Sequence, residues 1–254
     1  MTGRRAFTLI ELLVVIAVVA LLVSIVLPAL GSARVRAKGV ACAGRLHQLG
    51  IGLTLYLNDF DRQLPQLRVD MGGGQTANIG ALFGGKKGTL PAYGINTYGA
   101  ERRPLNRYLL MGEVPKDADA NPFEIEAYRS PADRGGRLPY LGPVESMYDL
   151  LGSSYTLNDH ALDGEQAWTL IPPAGGRMPP IVTPSKTWVL GTHPIYNYQQ
   201  NGDRGHYWFG RAGVEANLLF LDSHVGSMLR VPAGIVNTTD NYTFLPSPEW
   251  RTSG

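Results

Sequence analysis

The chain has 254 residues, of which 44% are hydrophobic and 17% are charged, and its formal net charge is +2. This composition predicts one folded domain of ordinary size and excludes a disordered chain. The small net charge and the lack of a basic stripe argue against nucleic acid as a partner. The single cysteine, Cys42, excludes an internal disulfide and a cysteine-based zinc site.

The N-terminal region contains a long apolar segment, residues 7–30, whose only ionisable residue is Glu11. As a helix this segment is about 36 Å long, which is enough to cross a hydrocarbon core of about 30 Å. Two residues are unusual for a plain anchor. A carboxylate such as Glu11 costs on the order of 3 kcal/mol inside a membrane. Pro28 lacks a backbone donor and is expected to bend or interrupt the helix.

These residues carry a resemblance to a known family. The run from Arg4 to Glu11, followed by LLVVIAVVALL, resembles the N-terminal signal of type IV prepilins and type II secretion pseudopilins. The resemblance implies a leader of residues 1–6, which a prepilin peptidase cuts between Ala6 and Phe7 on the cytoplasmic side, and N-methylation of Phe7. Glu11 and Pro28 then occupy positions where the family carries a glutamate and a helix-bending proline. The chain departs from the family at Ala6, where glycine is usual.

A secretory signal peptide and a twin-arginine export signal are alternative interpretations of the same segment. The apolar core of a signal peptide normally has about 7–15 residues, fewer than the span here. RRAFTL resembles a twin-arginine signal, and Ala29-Leu30-Gly31 resembles a small-residue cleavage site. The length of the span and the presence of Glu11 favour the prepilin interpretation. Orientation by charge stays open, because basic residues flank both ends of the span: Arg4, Arg5, Arg34, Arg36 and Lys38.

The role expected for Glu11 is electrostatic. Cleavage would create a cationic amine at Phe7, and the Glu11 carboxylate of one subunit would pair with the amine of its neighbour in a low-dielectric helix bundle. The resemblance further implies other pilin-like subunits, an inner-membrane assembly platform and an ATPase as partners. It also implies a single-pass protein of the bacterial inner membrane, with its body on the periplasmic side.

Residues 31–62 are predicted to continue the helix as an amphipathic half that packs on the body. The helix is expected to end near Asn58-Asp59. Cys42 is interpreted as a small apolar residue of the buried stripe, with pairing to another protein as the alternative. Asp59 and Asp61 are interpreted as a solvated helix exit, with a calcium site as the alternative. The apolar stripe consists of Val35, Cys42, Leu46, Leu49, Leu53, Tyr56 and Phe60.

Residues 63–254 form the predicted globular body. Residues 70–100 are rich in glycine and are expected to be a long surface excursion. Residues 187–191 and 216–221 are predicted strands by their β-branched and aromatic content, and a turn at Asp222-Ser223 is predicted to lead the second of them into a hairpin. The expected fold class is α+β and pilin-like: a long N-terminal helix packed on an antiparallel β-sheet with long loops.

Short motifs in the body extend the resemblance. Residues 128–133, YRSPAD, resemble an RCPSD motif with Ser130 at the cysteine position, and residues 153–158 resemble an SY-x-x-N strand. NLLFLDSHVGSM resembles the N-x-LF-x-DGHV signature of a pseudopilin-like group typical of planctomycete-type bacteria. Asp222, His224 and an upstream histidine, His206, are the corresponding residues. Ser223 replaces the glycine of that turn, so a different turn type is expected.

Indications of catalysis are weak. His193, His206, Asp222 and His224 are candidate metal ligands, although Asp222 is more simply interpreted as the cap of its turn. The four tryptophans, at positions 168, 188, 208 and 250, suggest carbohydrate stacking or, more simply, core packing. The sequence therefore predicts a structural subunit of a pseudopilus or pilus-like fibre and no enzyme. The alternatives are an anchored binding module that does not polymerise and an exported enzyme.

Overall fold

The computed structural model describes residues 8–110, 113–116, 123–138, 141–162, 169–172, 175–196, 207–210 and 213–248. Within these ranges a long N-terminal helix precedes a body built from short antiparallel strands and single helical turns. The predicted α+β, pilin-like layout is confirmed.

Helix α1 runs from Leu9 to Asp59, a length of 51 residues or about 76 Å. It is continuous through Pro28, so the proline does not end the helix. Ser32 lies one turn after Pro28, and its hydroxyl donates to the Pro28 carbonyl oxygen at 3.2 Å. The helix ends where sequence analysis expects, and the Phe60 N–H donates to the Tyr56 carbonyl oxygen.

The two halves of α1 have different surroundings. Every residue from 8 to 34 is exposed, and no part of the apolar span is covered by the body. By length and composition, α1 is the one helix among the described residues that is able to cross a membrane. In the second half the predicted stripe is confirmed. Cys42, Leu46, Leu49, Leu53 and Tyr56 are buried, and Val35 and Phe60 are half-buried.

The second half of α1 packs on a four-stranded antiparallel sheet of order β5-β6-β7-β8. Both strands predicted from composition, and the strand that the resemblance implies at residues 153–158, are present in it. A separate hairpin, β1–β2, and a short pair, β3–β4, lie outside this sheet. The strands are β1 Arg68–Gly72, β2 Gln75–Asn78, β3 Gly136–Leu138, β4 Gly142–Val144, β5 Tyr155–Leu157, β6 Trp188–Thr192, β7 Glu215–Phe220 and β8 Val225–Arg230.

A five-residue helix, α2, covers Met147–Leu151 and is capped by the Ser146 hydroxyl. The other helical elements in the described part of the chain are single 3-10 turns, at Gly80–Leu82, Ala100–Arg102, Asn106–Tyr108, Glu126–Tyr128 and His193–Tyr196.

Alternation along β7 separates two apolar cores. Because successive side chains of a strand point to opposite faces, Leu219 belongs to the large core beneath α1, whereas Leu218 and Phe220 belong to a second core. The second core also holds Trp188 and Phe244, whose rings meet edge to face at 5.0 Å. The sheet is therefore covered on both faces, and α1 is the outer layer on one of them.

The expectation that residues 70–100 form a surface excursion is wrong for most of that segment. Only the β1–β2 hairpin is largely exposed, whereas Leu82, Phe83, Leu90 and Ile95 lie in the main core. Glycines allow this segment to pack closely: a Cβ on Gly84 would lie 2.2 Å from the Tyr128 hydroxyl. Gly84 thus reflects close packing, whereas Gly72, Gly73 and Gly74 form the exposed turn of the hairpin with positive φ.

Candidate functional site

The N-terminus of α1 is closed by reciprocal hydrogen bonds between Thr8 and Glu11. The Thr8 backbone N–H and hydroxyl each donate to Glu11 Oε2 at 2.8 Å, and the Glu11 N–H donates to Thr8 Oγ1 at 3.3 Å. This arrangement is a capping box. The predicted scissile bond between Ala6 and Phe7 lies outside the described residues.

The capping box places a carboxylate at the start of an exposed apolar helix. A negative charge in the first turn is favoured by the helix dipole. Both bonds from Thr8 end on Oε2, and no described residue donates a hydrogen bond to the Oε1 atom of Glu11. The carboxylate is therefore partly satisfied within its own chain and retains an acceptor atom for a donor from elsewhere.

The second half of α1 is fixed to the sheet by Asn217 of β7, which is fully buried. Its Nδ2 donates to the Gly39 carbonyl oxygen of α1 at 2.9 Å. Its Oδ1 accepts from the Met228 N–H of β8 at 2.7 Å and from the Ser227 hydroxyl at 3.3 Å. One amide thus joins the helix to two strands, beside a bulge where Met228 has a φ of +52°.

Cys42 is fully buried where α1 meets the sheet. The Tyr155 hydroxyl lies 3.5 Å from its Sγ, and the nearby side chains of Ser130 and Asn217 act to lower the pKa of the thiol. Burial raises the pKa of the Cys42 thiol and raises that of Tyr155 well above 10. A thiol held neutral and inside the core matches the interpretation of Cys42 as a small apolar residue.

Three glycines let α1 approach the body closely. A Cβ on Gly50 would lie 3.0 Å from Leu219, and a Cβ on Gly52 would lie 2.8 Å from Leu109. Gly39 meets Met228 in the same way, at 3.1 Å. Gly44 differs, because it faces open space.

The Asp222–His224 motif forms a compact turn between β7 and β8. His224 Nδ1 lies 2.6 Å from Asp222 Oδ1, which also accepts the His224 N–H at 3.2 Å. The His224 ring stacks on Phe220 at 4.3 Å. Ser223 has a φ of +74° and its N–H bonds the Phe220 carbonyl, which gives a three-residue loop with a left-handed last residue.

The structure does not bring the candidate histidines together. Because Trp188 pairs with Phe220 in the antiparallel β6–β7 ladder, His193 lies at the opposite end of the sheet from His224. Burial lowers the pKa of His193 to about 4, and its Nε2 has no hydrogen-bond partner in the described part of the chain. His206 lies outside the described residues. Within them no three His, Cys, Asp or Glu side chains form a metal-binding group.

The other candidate sites are engaged in local contacts. The Tyr108 hydroxyl donates to Asp59 at 2.7 Å, and Arg177 forms a 2.6 Å ion pair with Asp61. The two carboxylates thus have separate partners. Trp188 and Trp208 are buried and present no stacking platform, which contradicts the carbohydrate interpretation for those two residues. Trp168 and Trp250 lie outside the described residues.

Two polar residues that organise the body, the buried Arg103 and the half-buried Asp133, are not among the predicted site residues. Arg103 is 2% exposed and donates to the carbonyl oxygens of Gly84 and Leu151 at 3.0 and 2.9 Å. Asp133 accepts from the Ser154 hydroxyl at 2.6 Å and from the Tyr148 N–H at 2.8 Å. Asp133 belongs to the YRSPAD segment, whose resemblance to a family motif marks it as a residue of interest. Nothing in the sequence distinguishes Arg103 from a surface arginine.

Comparison with known proteins adds one finding. Residues 1–27 match the family model described as "Prokaryotic N-terminal methylation motif". No curated protein and no solved structure matches the chain. The match covers the predicted leader and most of the apolar span, so it supports a pilin-type precursor with a single N-terminal membrane anchor.

Proposed function

We propose that this protein is a membrane-anchored structural subunit, a pseudopilin or minor-pilin-like protein of a type II secretion pseudopilus or a pilus-like fibre. A prepilin peptidase removes residues 1–6 and the amine of Phe7 is methylated. Residues 7–30 span the inner membrane, residues 31–62 form the amphipathic half of the helix, and residues 63–254 form the extracytoplasmic body. The match of residues 1–27 to the methylation motif supports this assignment.

The observation that carries the proposal is the complete exposure of the apolar half of α1. No side chain between Leu9 and Leu30 is buried against the body, although the segment is almost wholly apolar. Such a surface needs either lipid or other apolar helices around it. A subunit that moves from the membrane into a bundle of like helices keeps this surface covered in both states.

Glu11 provides the polar contact in the proposed bundle. The acceptor atom that Thr8 leaves open would bind the Phe7 amine of a neighbouring subunit. Pairing the two charges offsets the cost of holding each in a low-dielectric environment. An inner-membrane platform and an assembly ATPase complete the system by resemblance to the family.

The test is to determine the mature N-terminus and to follow Glu11→Ala into sheared fibres. We expect a chain that begins at Phe7, and we expect Glu11→Ala to enter the membrane normally but to be lost from the fibre fraction. Glu145→Ala, which removes an exposed acid of the body, is the matched control. Fibres with a normal content of Glu11→Ala would exclude the pairing.

The same experiment separates the alternatives. A chain that begins at Phe7 but occurs only in membranes would favour an anchored binding module. A chain that begins near Ser32 would favour an exported protein without an anchor.

A further inference from the structure

The second half of α1 has a second apolar face, on the side away from the body. A helix on the surface of a soluble domain normally carries polar residues there. Here the exposed fractions are 67% for Val40, 55% for Ile51 and 51% for Leu55. A Cβ on Gly44 would meet nothing within 4 Å. We call this face the outer stripe. It consists of Ala33, Ala37, Val40, Gly44, Ile51 and Leu55.

The outer stripe is continuous with the membrane half of the helix. Its spacings of three, four and seven residues return to the same side of an α-helix. The same repeat extends back through the apolar span, and α1 is one unbroken helix across the junction. A seam with this spacing along a long helix is the pattern by which one helix packs on another. The residues of the seam in the membrane half are Leu12, Val15, Val19, Leu22, Val26 and Leu30.

The charges on α1 are complementary but far apart. Glu11 is the only acidic residue between positions 8 and 58. Arg34 and Arg36 are both exposed and, by the 100° turn per residue of an α-helix, flank the outer stripe on opposite sides. Neither arginine forms an ion pair within the described residues. Each copy therefore carries an acid with an open oxygen and, on the two flanks of the outer stripe, two cations that form no ion pair within the described residues.

We propose that the membrane half of a second copy packs on the outer stripe of the first, with its Glu11 level with Arg34 and Arg36. This inference rests on the proposed function, because it describes one contact within the fibre. Copies inserted in one membrane have parallel helices. The displacement along the axis is therefore the separation of Glu11 from Arg36, about 25 residues or about 37 Å.

Side-chain sizes support this register. A displacement of 25 residues places Val15 opposite Val40 and Val19 opposite Gly44, where the open space over the glycine receives the larger side chain. The contact differs from the pairing of Glu11 with the Phe7 amine, which requires a displacement of only about four residues. The two contacts do not exclude each other, because a carboxylate accepts more than one donor.

A lipid surface does not account for the whole face. Anionic headgroups would bind Arg34 and Arg36 just outside the span. Ile51, however, lies about 25 Å further along the helix than Arg34, beyond the reach of a bilayer that the helix crosses. A second helix covers both the charged and the apolar part of the outer stripe.

Cysteine cross-linking between two differently tagged full-length copies tests the register. One copy carries Leu12→Cys and the other carries Ala37→Cys, and sheared fibres are treated with a mild oxidant. We expect a mixed-tag disulfide dimer. Leu12→Cys with Ile51→Cys is the matched control, because Ile51 lies on the same face but about 21 Å away from Ala37. Cys42 is buried in both copies, and fibres without added cysteines give the background.

The result that would overturn the inference is equal cross-linking to both positions, or none, in fibres that contain both copies. A chain that never leaves the membrane would instead refute the proposed function, and this contact with it.

The charges are tested separately with Arg34→Gln/Arg36→Gln. We expect this variant to be processed normally but to enter fibres about fivefold less, as expected for the loss of an ion pair near the surface. Arg230→Gln, on the body, is the matched control. Weaker binding to anionic vesicles with unchanged fibre content would assign the arginines to lipid and overturn this part of the inference.

Discussion

The side-chain amide of Asn217 donates a hydrogen bond to the carbonyl oxygen of Gly39 at 2.9 Å, and this bond links the sheet to the long helix. It lies where α1 passes from a fully exposed segment to a packed one. The same amide accepts the Met228 N–H at a bulge in β8. Every polar atom of the Asn217 side chain is thus used in positioning α1 on the sheet.

Asn217→Leu should destabilise the body by about 2–3 kcal/mol. The substitution replaces a fully buried amide and leaves the partly buried Met228 N–H without its acceptor, which has the cost of an unsatisfied polar group. Thermal unfolding of the full chain in detergent measures the effect. Ser227→Ala, which removes only the weaker 3.3 Å bond to Asn217, should cost less than about 1 kcal/mol. If Asn217→Leu and Ser227→Ala lowered the free energy of unfolding equally, the Asn217 amide would have no special role in holding α1 on the sheet.

Ser130→Cys should form a disulfide with Cys42. Both side chains are buried in the core, and the Ser130 side chain lies near enough to the Cys42 thiol to lower its pKa, although the two residues are far apart in the sequence. The new bond would close a long loop and stabilise the body by up to about 4 kcal/mol, provided that its geometry is unstrained. Electrophoresis with and without reductant would show the compact oxidised form.

Ser247→Cys is the control for that experiment, because Ser247 is exposed. This variant should remain reduced at Cys42 and should react with a polar thiol reagent at the new cysteine. A Ser130→Cys chain with two free thiols after oxidation would show that α1 is not packed against the YRSPAD segment.

Stability should fall between neutral and acidic pH because of His193. Burial lowers its folded-state pKa to about 4 from 6.5, so the unfolded chain binds a proton that the folded chain does not. The free energy of unfolding therefore begins to fall as the pH drops below about 6.5. This loss of stability is complete near pH 4 and amounts to about 3 kcal/mol. His193→Gln should show a smaller difference in the free energy of unfolding between pH 7 and pH 4.5.

His47→Gln is the matched control for His193, because His47 is exposed on α1. The raised pKa of His160 acts in the opposite direction. Burial lowers the pKa of that ring, but the charge of Asp159 outweighs this effect. Since His160 is present in all three proteins, the comparison isolates His193. An equal pH dependence in the wild type and His193→Gln would contradict the assignment.

The sequence predicts the parts of this fold that depend on regular repeats. The 3.6-residue spacing of Leu46, Leu49 and Leu53 predicts the buried side of α1, and the apolar and aromatic composition of residues 216–221 predicts β7. The burial of Arg103 was not predictable, because its acceptors are carbonyl groups of Gly84 and Leu151, which only the folded chain brings together. No periodic pattern records such a contact.

The candidate sites show the same difference between features that are local in the sequence and features that depend on the folded chain. The N-terminal motif was recognisable because its residues are contiguous in the sequence. His193 and His224 were grouped only by residue type, and strand pairing places them at opposite ends of the sheet. The turn at Asp222 was predicted, but the left-handed conformation of Ser223 was not, because serine seldom adopts it.

Thr8→Val separates the two roles of Glu11, capping the helix and pairing between subunits. Valine has the shape of threonine but lacks the hydroxyl that bonds Glu11 Oε2 at 2.8 Å and accepts the Glu11 N–H. Losing this cap should cost about 1 kcal/mol at the helix end. The carboxylate is expected to act mainly by binding a neighbour's amine. Thr8→Val should then be incorporated into fibres at more than half the wild-type level. Glu11→Ala should be excluded from them. Quantifying both chains in the sheared fraction, against equal amounts in the membrane, measures the difference. Equal exclusion of Thr8→Val and Glu11→Ala would mean that assembly requires the closed helix end and not a charge pair between subunits.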